Sequence, residues 1–474
     1  MSLKLTSTLS ALLASCALLV GCGGGSDVLG DVGAPVAPTP VALPLIFGAT
    51  TAANGTELWT SDGTAAGTVL LKDIRAGAGS SDPKGFTYFN GEVYFSASVD
   101  GISGNELWKS DGTAAGTVLV KDINPGPAIS LPTHFTEFNG ALYFSASDGT
   151  NGTELWKTDG TTAGTVMVKN IHAGALDSSP VGFMVFNGAL YFGASNGTNG
   201  SELWKTDGTD AGTVMVKDVF VGGSNSDAFP LAVLNNALYF RATDAANGSE
   251  LWKTNGTAAG TVLVKDINTG ALGSSIGDVT LFNGKLYFRA TKDSDTTGIE
   301  LWVTDGTTSG TVILKNINPF EDSSPGGFKV ANGTLYFRAT EGTNGLELWK
   351  SDGTAAGTVM VKDINAGAAD SNAQALTLFN GTLYFRANDG INGFEMWKTD
   401  GTAAGTVMVK DIIAGLTSSV PPLAFTVFNG TLYLRASDGI NGSELWKTDG
   451  TAAGTVLVKD INSGAVDSSP YFAA

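Results

Sequence analysis

Five of the six arginines in this chain recur at one place in a repeated segment: Arg241, Arg289, Arg338, Arg386 and Arg435. Guanidinium groups hold carboxylates and phosphates through paired N–H donors, so a row of them is a candidate anion-binding arc. The other four segments carry Gly48, Ser96, Ser145 and Gly193 there, which leaves the arc on one side of whatever the repeats build. A structural reading competes. Every segment also has a glutamate two residues before a tryptophan and a lysine near its end, as in Glu395, Trp397 and Lys410. If Trp397 faces Met408 across a hairpin, Glu395 faces Lys410, and a four-residue turn sets Arg386 opposite Glu395 as well. Such an Arg–Glu–Lys ladder contributes about 0.2–1 kcal/mol per pair.

A second set has oxygens at hard-cation spacing. Asp148, Asn151 and Glu154, then Asp389, Asn392 and Glu395, then Asp438, Asn441 and Glu444 lie three residues apart, a pattern that could hold Ca²⁺. Ala52-Ala53-Asn54 breaks it in the first segment, and Asn-Gly is itself a hairpin signal, so plain turns are the alternative. Catalysis finds less support. His134 and His172 do not recur and have no obvious nucleophile partner. Paired carboxylates meeting near the arginines would be the route to a glycan hydrolase or lyase.

These residues need a frame that repeats. All nine tryptophans sit at one register: Trp59, Trp108, Trp156, Trp204, Trp252, Trp302, Trp349, Trp397 and Trp446, at intervals of 47 to 50 residues. A fixed period in this range means supersecondary units, each burying its apolar face on the next. In the last full unit, residues 425–428, 432–437, 444–447 and 455–461 read as short strands a, b, c and d, separated by Asn-Gly and Asp-Gly turns. Four-stranded antiparallel units in tandem, apolar on both faces, describe the blades of an all-β, closed β-propeller. Nine copies predict nine blades. The chain starts the array at Leu45-Ile46-Phe47, which matches strand b, and stops at Tyr471-Phe472, which enters strand a. The first blade is therefore expected to take a from the C-terminus and b, c and d from the N-terminus; residues 38–43 are the alternative source of a, although Pro38 and Pro40 make a poor strand. One Trp per blade reads as an inter-blade wedge burying about 150–250 Å². A ring of binding tryptophans is the other possibility.

The repeated phrase, Glu-Leu-Trp-Lys-Thr-Asp-Gly-Thr around Trp156 and its eight relatives, is similar to that of bacterial exported proteins with ELWxxDGT repeats, over residues 45–474. The resemblance implies an exported or surface protein and says little about activity. The Asp of Asp-Gly-Thr becomes Asn255 in the fifth copy, so a turn-closing role suffices for it.

Residues 1–22 read as an export signal: Lys4, an apolar run from Leu9 to Val20, then Leu19-Val20-Gly21-Cys22, which looks like a lipobox. Cys22 is the expected lipidation site, and Gly23 after it suggests the outer membrane. Cys16 leaves with the signal, so usual zinc sites and disulfides are not expected in the mature chain. Residues 23–44, with Pro35, Pro38, Pro40 and Pro44, read as a tether. The net charge of −18 argues against a nucleic-acid partner. Together these point to a lipid-anchored binding or scaffolding protein at the envelope or cell surface. Its partner would be an envelope protein or a surface glycan, met on the face that carries the variable d–a loops. A glycan-active enzyme and a purely structural surface protein are the alternatives.

Overall fold

The computed structural model describes residues 43–99, 103–292, 298–421 and 425–472. The expected signal, Cys22 and the tether up to residue 42 lie outside them. The described residues form thirty-six strands and no helix. They make nine four-stranded antiparallel sheets, arranged as the nine blades of a β-propeller.

The third blade shows how the sequence builds one. Strands a (Thr133–Phe138), b (Ala141–Ser147), c (Thr153–Thr158) and d (Val166–Lys169) pair in that order. Asn139 and Gly140 join a to b with φ of 49° and 72°. Both central residues of a type I′ hairpin need positive φ, which Asn and Gly supply at least cost. On strand b, Leu142, Phe144 and Ala146 point to one side and Tyr143 to the other, and all are buried because both sides meet a blade. The core is accordingly a set of slabs between blades. One slab joins Phe138, Tyr143 and Leu155 of the third blade to Leu190, Phe192 and Trp204 of the fourth. Every tryptophan sits in such a slab with 2–7% of its surface exposed.

The ring closes as the sequence suggests. Strand b of the first blade (Leu45–Thr51) pairs with c (Gly55–Ser61) on one edge and with the C-terminal Tyr471–Phe472 on the other. Phe47 lies opposite Phe472, and Gly48 opposite Tyr471. A Cβ on Gly48 would fall 2.2 Å from the Tyr471 ring, so the absence of a side chain there is what admits the closing strand. The last slab packs Tyr433 and Leu445 of the ninth blade against Phe47 and Trp59 of the first.

Strands a of neighbouring blades approach one another, which places them around the central channel with d outermost. The a–b and c–d turns therefore share one face, called here the turn face. The b–c and d–a connections share the opposite one, the loop face. Each c–d hairpin carries a bulge. In the third blade Trp156 pairs with Met167 but Leu155 pairs with Lys169, one residue out of register. That slip decides where the recurrent charges go.

Candidate functional site

The recurrent glutamates are consumed by the fold. Glu154 is fully buried, and its Oε2 accepts the Ile171 N–H at 2.8 Å and the Ser178 hydroxyl at 2.6 Å. The same arrangement recurs in the other blades, for example Glu444 with the Ile461 N–H and the Ser468 hydroxyl. Burial pushes these carboxyls up, against the lowering effect of their donors; Glu250, Glu300, Glu347 and Glu395 reach about 7. The ladder expected from the sequence is not formed. Arg386 faces Met396, not Glu395, and the bulge sets Lys410 opposite Met396 as well. A signal for the true partner was present: a serine follows each glutamate by 24 residues, or 23 in the sixth blade, from Ser81 to Ser468.

The strand-d lysines reach across to the next blade. Lys217 Nζ donates to the Thr261 carbonyl at 2.8 Å, Lys410 to Thr455 at 2.7 Å, and Lys459 closes the ring on Thr68 at 2.6 Å. Six of them also stand 5.6–5.8 Å from the ring centroid of the next blade's tryptophan. Charge-assisted bonds to carbonyls and cation–π contacts are both favourable at partly buried sites. The lysines are thus inter-blade staples.

The three oxygens of each expected calcium set do not converge. Asp148 Oδ1 accepts the N–H groups of Thr150 and Asn151, and its Oδ2 accepts the Asn151 amide at 2.7 Å. Asp389 with Asn392, and Asp438 with Asn441, repeat this closed turn. Glu154, Glu395 and Glu444 point the other way, into the blade, toward the donors named above and Ser419. Among the described residues no group of three or more His, Cys, Asp or Glu side chains is placed to hold a metal. The Asp-Gly-Thr turns are likewise self-contained. Asp159 Oδ1 accepts the Thr161 hydroxyl and N–H, which hold its carboxyl below the usual range. Asn255 makes the same two bonds to Thr257.

The arginines remain. All five lie at one position of strand b, and four of them face the first residue of strand a: Arg241 opposite Phe229, Arg289 opposite Gly277, Arg338 opposite Gly326, Arg386 opposite Gln374; Arg435 stands one residue past Leu434, which pairs with Phe425. That is the loop-face end of the channel wall, on five successive blades. Their side chains share the side of strand b that faces the following blade. Two are largely engaged. Arg386 is buried, donates to the Val420 carbonyl at 2.6 Å and lies 3.4 Å from the Phe394 ring centroid. Desolvation pushes it down to about 10. Arg241 reaches the Ile276 carbonyl at 3.4 Å and faces Phe229. The other three are not satisfied. Arg289 pairs with Asp278 at 3.4 Å but leaves its Nε buried without a partner. Arg435 Nε is also buried and unpartnered, with Asp467 as the nearby countercharge. Arg338 Nε is buried without a partner too, and the guanidinium makes no ion pair among the described residues. Unpaired buried donors cost about 1–3 kcal/mol each, so these three arginines are the least satisfied of the five.

No protein-family model and no curated protein matches the sequence. Solved structures with a similar course of chain include the computationally designed Ika8 protein, with a TM-score of 0.43 and 14% identity over 77% of this chain and 96% of that one. A prolyl endopeptidase aligns with a TM-score of 0.40 and 12% identity, over 77% of this chain and 54% of its own. Oligopeptidase B from Leishmania major aligns with a TM-score of 0.40 and 10% identity, over 82% and 49%. The chain spans about half the length of these two peptidases.

Proposed function

We propose that this protein is a lipid-anchored binding scaffold of the bacterial envelope, of the ELWxxDGT-repeat kind, which captures a carboxylate-bearing partner on its loop face. The observation that carries this reading is the asymmetry of the arginines. The recurrent Glu and Lys side chains hold blades together, whereas Arg289, Arg338 and Arg435 keep unpaired buried donors at the channel mouth. A guanidinium is suited to a carboxylate. The net charge of −18 disfavours long polyanions, so the ligand is a short acidic glycan or an acidic side chain of an envelope protein. Residues 43 and 44 mark where the chain enters the ring. Pro44 lies against Gly112 in a c–d turn, and the Leu43 carbonyl accepts from Asn429 in an a–b turn, so the chain joins the ring on the turn face. The arginines lie toward the opposite, loop-face end of their blades. Metabolic labelling with a palmitate analogue tests the anchor: label is expected on the wild type and lost in Cys22→Ala. Unlabelled wild type would overturn it.

A further inference from the structure

The turn face carries a second kind of site that the arginine reading does not use. Between the third and fourth blades lies a cavity of about 410 Å³, lined by Asn139, Tyr143, Lys157, Asp159 and Asp207 among others. The next groove round the ring, between the fourth and fifth blades, measures about 470 Å³ and has the equivalent lining: Asn187, Tyr191, Lys205, Asp207 and Asn255. We infer that these inter-blade grooves are repeated binding sites for a neutral sugar ring.

The chemistry of one groove argues for that class. Lys157 Nζ spends one N–H on the Gly208 carbonyl at 2.8 Å and keeps two. Asp159 and Asp207 each commit Oδ1 to their own Thr and leave Oδ2 as an acceptor. Tyr143 is buried except toward the groove, where its hydroxyl ends beside Gly208. Ala141, Ala163 and Val166 supply apolar wall between these polar points. Two carboxylates beside one lysine disfavour an anion, and the fixed ammonium disfavours a metal ion. A ring with hydroxyls on its edge and C–H on its faces satisfies both the donors and the acceptors, in a volume of ordinary ligand size. Gly208 keeps the groove open: a Cβ there would fall 2.3 Å from the Tyr143 hydroxyl, and its φ is +95°.

Repetition supplies the second argument. The lysine-to-glycine bond that frames the two grooves recurs at Lys157, Lys205, Lys253, Lys350, Lys398 and Lys447, so the same frame stands at six blade boundaries. The other three depart. Thr60 and Val303 stand where the lysine would, and in the second blade Glu92 binds both Lys109 and Tyr94. Six weak sites on one rigid face suit a multivalent glycan, for which linked occupancy multiplies affinity about 10²–10⁴-fold.

The test is surface plasmon resonance of the full-length protein with N-acetylglucosamine, galactose and mannose, each free and as a polyvalent albumin conjugate. At least one sugar is expected to bind saturably, and its conjugate at least 100-fold more tightly per sugar. The variant carrying Tyr→Phe at 143, 191, 239, 336, 384 and 433 should lose at least tenfold while keeping its melting temperature and circular dichroism. Arg338→Gln, on the opposite face, should bind the conjugate like wild type. No saturable binding by any of the three sugars, or binding unchanged by the sixfold substitution, would overturn the inference. A loss in Arg338→Gln alone would instead assign the sugar to the loop face.

Discussion

Replacing Lys217 by methionine tests whether the recurrent lysines act between blades or within one. Methionine keeps most of the apolar stem and removes the ammonium. The change breaks the 2.8 Å bond to the Thr261 carbonyl and the cation–π contact with Trp252, 5.6 Å from the ring centroid. A charge-assisted bond contributes about 1.5–3 kcal/mol and a partly exposed cation–π contact about 0.5–1 kcal/mol. Lys217 is only half-buried, so the lower part of the combined range applies, about 2–3 kcal/mol. For a ring of roughly 430 residues, unfolding entropy near 2 cal/mol/K per residue converts this to a melting-temperature drop of about 2–3 °C. Two double-mutant cycles then separate the readings. Lys217→Met combined with Trp252→Phe should show a coupling of about 0.5–1 kcal/mol, because the two side chains touch across the blade boundary. Lys217→Met combined with Glu202→Gln should be additive to within about 0.3–0.5 kcal/mol, because Glu202 is bonded to Val219 N–H and Ser226 instead. Coupling to Glu202 and none to Trp252 would refute the staple and restore the within-blade ladder.

Three further outcomes follow from the same contacts. Glu250, Glu300, Glu347 and Glu395 titrate near 7 in the folded ring against 4.5 ordinarily, so the stability they lend is complete below about pH 4.5 and is lost as pH rises through 7. Calorimetry should show the melting temperature falling between pH 5 and 8, at up to about 1.4 kcal/mol per pH unit for each such proton, and less steeply in Glu347→Gln. Phe472→Ala removes a half-buried ring 5.8 Å from Phe47 and should destabilise by about 2 kcal/mol, read by chemical denaturation, because it loosens the strand that closes the ring. Chelation should leave the melting curve within about 1 °C of that with excess calcium, because Asp148, Asp389 and Asp438 spend their oxygens on their own turns.

The architecture was legible because its determinants are local and repeated. The tryptophan register gives the blade count, Asn-Gly and Asp-Gly give the turns, and the match of Leu45 to strand b and Tyr471 to strand a gives the closure. The charge network was not legible, for a reason of register. Alternation along strands c and d looks regular in the sequence, but one extra residue between the partners of Leu155 and Trp156 moves Lys169 away from Glu154. A bulge of this kind depends on sheet curvature, which periodicity does not encode. The lysine partners lie more than 40 residues away in the next blade, as Lys217 and Thr261 do. The arginine positions were visible, but their unequal satisfaction depends on neighbours such as Asp278 and Val420 that no repeat pattern singles out.

In the proposed function the unsatisfied arginines receive a carboxylate. Isothermal titration of the full-length protein with short oligogalacturonates addresses it most directly, comparing wild type with Arg338→Gln and with the triple variant of Arg289, Arg338 and Arg435 to Gln. Salt-sensitive binding to wild type is expected, at least tenfold weaker in Arg338→Gln and absent in the triple variant, with all three proteins melting at the same temperature or higher. Binding of equal affinity in all three, or none in the wild type at low salt, would contradict it.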